Sequence, residues 1–258
     1  MVWPLWRKEL ADRWPLAAGV GGLLIIFSAV AFAIYAPMAG TLDAIASTFP
    51  REILTIIGGI APGGYVVSQL FNVLGPIMVV ALAVTIGVSV LAGEEDDGTL
   101  SLLLAHPVRR GTVLAVKGAV VLTLVALSTA LFWVGVMLSA AYQGVDLDRS
   151  NITAACFHLY CLAACFAMIA VAAGAATGRT GMAGAIAGGF TVLSYLGATM
   201  LPVAGLDGWA RVSPWHYYNG SDPLANGIDP AHLAVLIALA LLASLLSWVT
   251  FLRRDLRG

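Results

Sequence analysis

Six long stretches without a charged side chain dominate the pattern of polar and apolar positions in this chain. They cover residues 14–42, 53–93, 118–145, 150–178, 180–206 and 230–252. Each supplies the roughly 20 apolar residues that an α-helix needs to cross a bilayer. We predict spans near 15–37, 66–92, 113–141, 152–177, 181–203 and 231–252, the second starting after a glycine-rich break at 58–64. The pattern indicates an all-α, polytopic integral membrane protein with one transmembrane domain over residues 1–258.

An amphipathic segment, residues 3–14, precedes the first predicted span. Its large apolar residues share one helical face, and its charged residues fall opposite. The apolar face holds Trp3, Trp6, Leu10 and Trp14, and the charged face holds Lys8, Glu9 and Asp12. Tryptophans in such register are typical of a helix that lies in the membrane interface. We therefore expect a separate interfacial helix here.

The composition agrees with this class. Hydrophobic residues make up 60% of the chain and charged residues 10%, whereas soluble domains carry about 25% charged residues. The formal net charge of −1 gives no indication of a nucleic-acid partner. Cys156, Cys161 and Cys165 fall within one apolar stretch without a Cys-x-x-Cys spacing, so we expect them to be small core residues.

The most distinctive polar segment, residues 94–110, lies between the second and third apolar stretches. Four adjacent carboxylates open it, a leucine-rich run follows, and a proline and two arginines close it. Because a charge at the bilayer centre costs roughly 2.5–3.5 kcal/mol, the carboxylates are expected to lie in water. Asp97 or Thr99 can cap a short helix that runs to about Ala105 and stops before Pro107. A leucine-faced helix at the membrane surface suits docking of a soluble partner, and a solvated turn is the alternative.

The order of residue types from Glu94 to Lys117 resembles the signature of the permease subunits of ABC exporters, in the small six-span class that works with a separate ATPase subunit. In that family the segment is similar to a cytosolic coupling helix that inserts into a groove of the ATPase. The resemblance implies an ATPase-coupling set, which consists of Glu94, Glu95, Asp96, Asp97, Gly98, Thr99, Leu100, Leu102, Leu103, Leu104, Pro107 and Arg110.

The same resemblance implies the partners of this chain. Two permease subunits, identical or paralogous, would form the pathway, and two ATPase subunits would bind beneath them with ATP and Mg. No Gly-x-x-x-x-Gly-Lys-[Ser/Thr] motif occurs in the sequence, so the chain cannot form a P-loop of its own. We expect no cofactor in this chain and no catalytic role for it.

The distribution of basic residues predicts the orientation. Ten of the 13 Lys and Arg residues fall in segments at the end of the bundle that carries both termini. The remaining three are Arg51, Arg149 and Arg211. Because cytoplasmic loops carry an excess of basic residues, both termini and segment 94–110 are expected to be cytosolic, in a multi-pass protein of the cell membrane.

The fifth stretch is rich in small residues at four-residue spacing. The series are Gly181, Ala185 and Gly189, and Gly184 and Gly188. Such faces let helices approach closely in lipid. The partner is either another helix of this chain or the seam of a dimer. The aromatic segment 203–230 that follows is similar to the external re-entrant cap of the resembled family.

Other chemistry finds less support in the sequence. His216 has no second ligand at metal spacing, so no metal site is predicted. An intramembrane protease needs a serine and a histidine inside spans, whereas Ser221 lies in an external loop and His158 has no partner visible in the sequence.

An ion-coupled secondary transporter is the main alternative function. Such carriers place ionisable residues inside their spans, and all 14 acidic residues fall outside the predicted ones. The uncharged spans favour apolar or amphipathic cargo. The polar candidates for lining a pathway are Gln69, Asn72, Ser194, Tyr195 and Thr199, and each is equally suited to a hydrogen bond between helices.

Overall fold

The structure is a computed structural model that describes residues 2–38, 64–104 and 108–254. Every regular element in these ranges is helical. In chain order they are α1 (Val2–Tyr35), α2 (Tyr65–Asp96), α3 (Thr99–Leu104), α4 (Arg110–Tyr142), α5 (Arg149–Thr177), α6 (Thr180–Val203), α7 (Asp207–Ala210), α8 (Pro214–Asn219), α9 (Pro223–Asn226) and α10 (Pro230–Arg253). Six of them, α1, α2, α4, α5, α6 and α10, are long and apolar enough to cross a membrane. The predicted class, an all-α polytopic membrane protein with six spans, is confirmed.

Side-chain caps and glycine define several helix ends. The Asp148 carboxylate accepts the backbone N–H of Ser150 at 2.8 Å and begins α5. Gly178 ends α5 with φ of 61°, a left-handed conformation that costs glycine little. Asp229 caps α10 in the same way as Asp148, with Pro230 in the first turn. Short polar breaks therefore separate the apolar helices.

Helix α5 forms the centre of the bundle. It packs against α2, α4, α6 and α10, and most of its side chains are buried. Its three cysteines are free and buried, as expected. Helices α6 and α10 lie at the periphery, with few of their side chains buried. The core therefore consists of α5 packed against α2, α4 and α10, and α1 packs along α4.

The amphipathic segment is not a separate helix. Residues 3–14 form the first turns of α1, which continues through Pro15 to Tyr35. Lys8 and Asp12 are exposed, as predicted, but Glu9 is buried and faces the bundle. The expectation for Glu9 was wrong because the sequence pattern does not show that Lys117 of α4 lies opposite this carboxylate.

The glycine face of α6 does not pack within this chain. A Cβ added at Gly181, Gly184, Gly188 or Gly189 would meet no atom within 4 Å. Instead, Ala183 and Ala187 form the buried face, against residues of α2 and α5. The sequence left two partners for this face, another helix of this chain or the seam of a dimer. The structure shows no packing of the glycine face inside the chain, so the face stays open. The greater part of the predicted break at 58–64 lies outside the described residues.

Candidate functional site

Three consecutive carboxylates at the end of α2 each bind a different part of the bundle. We call Glu94, Glu95 and Asp96 the carboxylate hub. Because α2 continues helically to Asp96, successive side chains point about 100° apart and reach different neighbours. The hub lies directly before α3, in the segment for which the sequence predicted a coupling function.

Glu94 belongs to a buried network of four charges. Lys117 on α4 lies 2.7 Å from an oxygen of Glu94 and 2.7 Å from an oxygen of Glu9 on α1. Arg13 lies 2.5 Å from Glu9 and 3.2 Å from Glu94. Lys117 is fully buried and Glu9 is 2% exposed. Two carboxylates and two cations compensate each other, which a buried ionic cluster requires.

Glu95 binds the end of the sixth span. Its carboxylate pairs with the guanidinium of Arg254, which directly follows α10. The Arg254 carbonyl oxygen accepts a hydrogen bond of 3.0 Å from Arg110 at the start of α4. Gly178 lies against this pair, and a Cβ at that position would overlap both the Arg254 guanidinium and the Glu95 carboxylate. Glycine is therefore needed here both for its positive φ and for the space that it leaves.

Asp96 binds the start of the fifth span. One carboxylate oxygen accepts the backbone N–H of Thr180 at 2.8 Å and also the Thr180 hydroxyl. A carboxylate at a helix N-terminus satisfies a free backbone donor and favours the helix dipole. The hub thus holds α1, α4, α6 and the end of α10 together at one end of the bundle. The expectation that these carboxylates lie in water was wrong for Glu94 and Glu95, because both are at least partly buried and paired.

The short helix predicted after the carboxylates is present as α3. Its leucine face, however, packs partly on this chain itself: Leu100 is 1% exposed, and Leu103 packs against the core. The exposed residues are polar and consist of Asp97, Gly98, Thr99 and Ser101. The side chains of Leu102 and Leu104, and all of Pro107, lie outside what the structure describes. Within the described part of this segment, the polar residues form the surface that is open to a partner.

The polar residues considered for a pathway lie near the aromatic segment that precedes α10. Ser194 is buried, and its hydroxyl lies 2.7 Å from that of Ser213. Tyr195 packs edge-on against Trp215, which in turn packs against Tyr218.

The remaining pathway candidates bond largely within their own helices. Asn72 donates to Ser68 at 2.8 Å, and Thr199 donates to the Tyr195 carbonyl at 2.9 Å. Gln69 and Asn72 are exposed. The Tyr218 hydroxyl donates to the Phe71 carbonyl at 2.6 Å, and this bond joins the region of Gln69 and Asn72 to the aromatic segment.

His158 is a buried polar residue, as expected, and its hydrogen-bond partners were not visible in the sequence. Its Nδ1 lies 3.2 Å from the Ser221 hydroxyl, and its Nε2 accepts the backbone N–H of Asp229 at 3.2 Å. An acceptor Nε2 places the imidazole proton on Nδ1, which then donates to Ser221. Ser221 donates in turn to the Tyr218 carbonyl at 2.9 Å. In this arrangement His158 cannot act as a base toward Ser221, so the pair joins the 213–229 segment to α5 rather than forming a protease dyad.

The start of α10 carries a further titratable pair. His232 Nδ1 lies 3.0 Å from a carboxylate oxygen of Asp229. The backbone N–H of His232, which the Asp229 carboxylate accepts, holds the pKa of Asp229 below its ordinary value. Asp229 therefore stays ionised near neutral pH and keeps its capping bonds.

The partners of the hub were not predicted. Glu9, Arg13, Lys117 and Arg254 come from three separate parts of the sequence, and their meeting depends on how the helices pack. One signal was available: Lys117 lies two turns inside α4, at the edge of an uncharged stretch, where a charge needs a partner.

Comparison with known families agrees with this architecture. Residues 4–256 match the family model described as ABC-2 family transporter protein. Comparison with curated proteins found no match. The family match covers nearly the whole chain and includes the six apolar helices of the structure. The chain therefore belongs to the ABC-2 family of transporter proteins, as a membrane-spanning permease subunit.

Proposed function

We propose that this chain is the permease of an ATP-driven exporter and that a separate ATPase subunit moves it through residues 94–110. The observation that carries the proposal is the carboxylate hub. A force on α3 reaches four of the six spans through Glu94, Glu95 and Asp96, because each pairs with a different helix or helix end. The family membership favours an ATP-driven transporter over an ion-coupled carrier.

The polar edge of α3 is the proposed contact surface for the ATPase. Asp97, Thr99 and Ser101 are exposed and follow the hub directly, so a partner can contact them without opening the bundle. Leu100 and Leu103 instead join α3 to the core of this chain. In this arrangement the polar residues contact the ATPase, and the leucines pass the resulting movement of α3 to the core of the permease.

The rest of the proposal follows the family. Two permease subunits, identical or paralogous, form the pathway, and two ATPase subunits hold ATP and Mg. Both termini and segment 94–110 face the cytosol in the cell membrane, in keeping with the excess of basic residues at that end. The uncharged spans support an apolar or amphipathic cargo, with Gln69, Asn72, Ser194, Tyr195 and Thr199 as candidate lining residues.

The test reverses or enlarges exposed residues only. Asp97→Lys combined with Ser101→Trp changes the proposed contact surface and leaves the hub and the leucines intact. We expect the variant to fold normally but to lose roughly thirtyfold in ATPase affinity, the equivalent of about 2 kcal/mol at an interface anchor. Co-purification of the partner ATPase and cargo-stimulated ATP hydrolysis are the two measurements.

The matched control is Asp146→Lys, which reverses an exposed carboxylate in the loop between α4 and α5. It should leave ATPase recovery unchanged. If the Asp97→Lys, Ser101→Trp variant recovers as much ATPase as the wild type and transports at the same rate, the coupling role of this segment is wrong.

A further inference from the structure

An apolar groove lies at the surface between α1, α4 and α10, at the same end of the bundle as the carboxylate hub. Its volume is about 660 Å³, within the range of roughly 300–1,000 Å³ that is usual for small-molecule sites. Trp3 and Trp6 form one wall, and Trp248 forms the opposite wall. The floor is a face of α4 with small residues, including Gly111, Ala115 and Ala119.

The two walls are ordered by specific contacts. The rings of Trp3 and Trp6 stack with centroids 5.3 Å apart and planes 15° apart. Trp248 lies against α4 at Gly111, where an added Cβ would come within 2.5 Å of the indole. Glycine therefore allows Trp248 to approach the helix, and the small side chains of Ala115 and Ala119 leave the space between the walls open.

The groove is open at the surface of the helix bundle. Trp3 is 65% exposed and Trp248 is 41% exposed, and indole rings favour the depth at which acyl chains meet headgroups. An open groove with aromatic walls and an apolar floor matches the chemistry of a lipid acyl chain. Since all three helices are candidate spans, lipid is the molecule that this surface meets in the bilayer.

Two basic residues lie at the end of the groove nearest the helix termini, Arg109 and Arg253, and a third, Arg7, lies farther along α1. Arg7 follows Trp6, Arg109 precedes Gly111 by two positions, and Arg253 lies five residues beyond Trp248. Five helical residues correspond to about 7.5 Å along the axis, and all three arginines are exposed. On this part of α1 the exposed Asp12 is offset by the exposed Lys8. The charge around the groove is therefore positive and complementary to an anionic headgroup.

We propose that this groove binds an acyl chain of an anionic phospholipid, from the leaflet on the side of the two termini, with Arg109 and Arg253 around its headgroup. The lipid acts as a structural ligand of α1. Val116 lines the groove and is the neighbour of Lys117, which pairs with Glu9. The first turns of α1 are thus held to α4 by an ion pair on one side and by lipid on the other.

The test measures lipid bound to the delipidated, purified chain by native mass spectrometry after titration with phosphatidylglycerol or phosphatidylcholine. Ala115→Trp fills the groove, and Ala126→Trp adds the same side chain at an exposed position of α4 outside it. We expect Ala115→Trp to lower phosphatidylglycerol affinity about tenfold or more and Ala126→Trp to leave it unchanged. Thermal unfolding of each variant without lipid checks that both are folded.

A second pair of variants tests the headgroup. Arg109→Gln with Arg253→Gln should weaken phosphatidylglycerol binding about fivefold for each charge removed, since a basic residue near an anionic surface contributes on this scale. Arg211→Gln, an exposed arginine in the segment before α10, is the control and should have no effect.

Three results would overturn the proposal. Undiminished lipid binding by Ala115→Trp would place the lipid elsewhere. Equal binding of the two lipids, unaffected by the arginine variants, would show that the groove does not recognise an anionic headgroup. A dimer that dissociates only in Ala115→Trp would assign the groove to a second copy of the chain. Since no ATPase is present, none of these outcomes bears on the proposed coupling function.

Discussion

The ammonium Nζ of Lys117 lies 2.7 Å from a carboxylate oxygen of Glu9, and both side chains are buried. The pair joins the first turns of α1 to the third span, and Glu94 shares the same lysine at 2.7 Å. A buried cation between two carboxylates from different helices fixes how those helices meet, because any separation leaves a charge without a partner. The end of α2 is therefore held to α1 and α4 at the start of the coupling segment.

Removing the lysine should strongly destabilise the bundle. Lys117→Met leaves the network with one uncompensated negative charge, and breaking a buried pair from one side costs about 3–5 kcal/mol. Lys117→Met with Glu9→Gln restores neutrality and should recover part of the loss. Thermal unfolding in detergent compares the single and double variants. A single variant as stable as the wild type would show that the pair does not hold α1 to α4.

Gly178 should tolerate a methyl group poorly because of the ion pair beside it. Gly178→Ala places a Cβ in the Glu95–Arg254 pair and also occupies a positive φ of 61°. Gly144→Ala is the control, since its φ is 69° but its Cβ would meet nothing within 4 Å. Backbone strain alone costs about 1–2 kcal/mol, so Gly178→Ala should unfold at a clearly lower temperature than Gly144→Ala. Equal unfolding temperatures would contradict the proposed contact.

The glycine face of α6 should matter for assembly rather than for folding. Gly184→Leu with Gly188→Leu adds side chains where the chain itself has no neighbour, so the unfolding temperature of the monomer should not change. If this face forms the proposed permease dimer, cross-linking of the dimer in membranes should be lost. Gly87→Leu is the contrasting variant, because its Cβ would lie 2.7 Å from the Ala167 carbonyl and should disrupt the fold itself. A double variant that still dimerises would mean that the face contacts lipid.

The orientation can be tested with single cysteines in a variant that lacks Cys156, Cys161 and Cys165. Ser101→Cys lies on the exposed edge of α3, and Asp146→Cys lies in an exposed loop at the other end of α4. An impermeant thiol reagent should label Ser101→Cys only in inside-out vesicles and Asp146→Cys only in intact cells. The reverse pattern would refute the cytosolic position of segment 94–110.

The sequence by itself determined the class of the protein. Six uncharged stretches predicted six spans. Each is long enough for a helix to cross the bilayer, and charged side chains are costly inside it. The order of residue types from Glu94 to Lys117 led to the family that the match over residues 4–256 confirms. Short helix α3 was also predictable, since a capping residue and a proline are local signals.

Only the tertiary structure decided which charges meet. Glu9 was assigned to the charged outer face of an interfacial helix, and Glu94 and Glu95 to water, whereas packing buries Glu9 on Lys117 and pairs Glu95 with Arg254. The same holds for His158 and Ser221, which are 63 positions apart in the chain. Helical periodicity orders residues within one helix, but whether a polar face meets water or an opposite charge depends on how the helices pack, and that is set by contacts between distant parts of the chain.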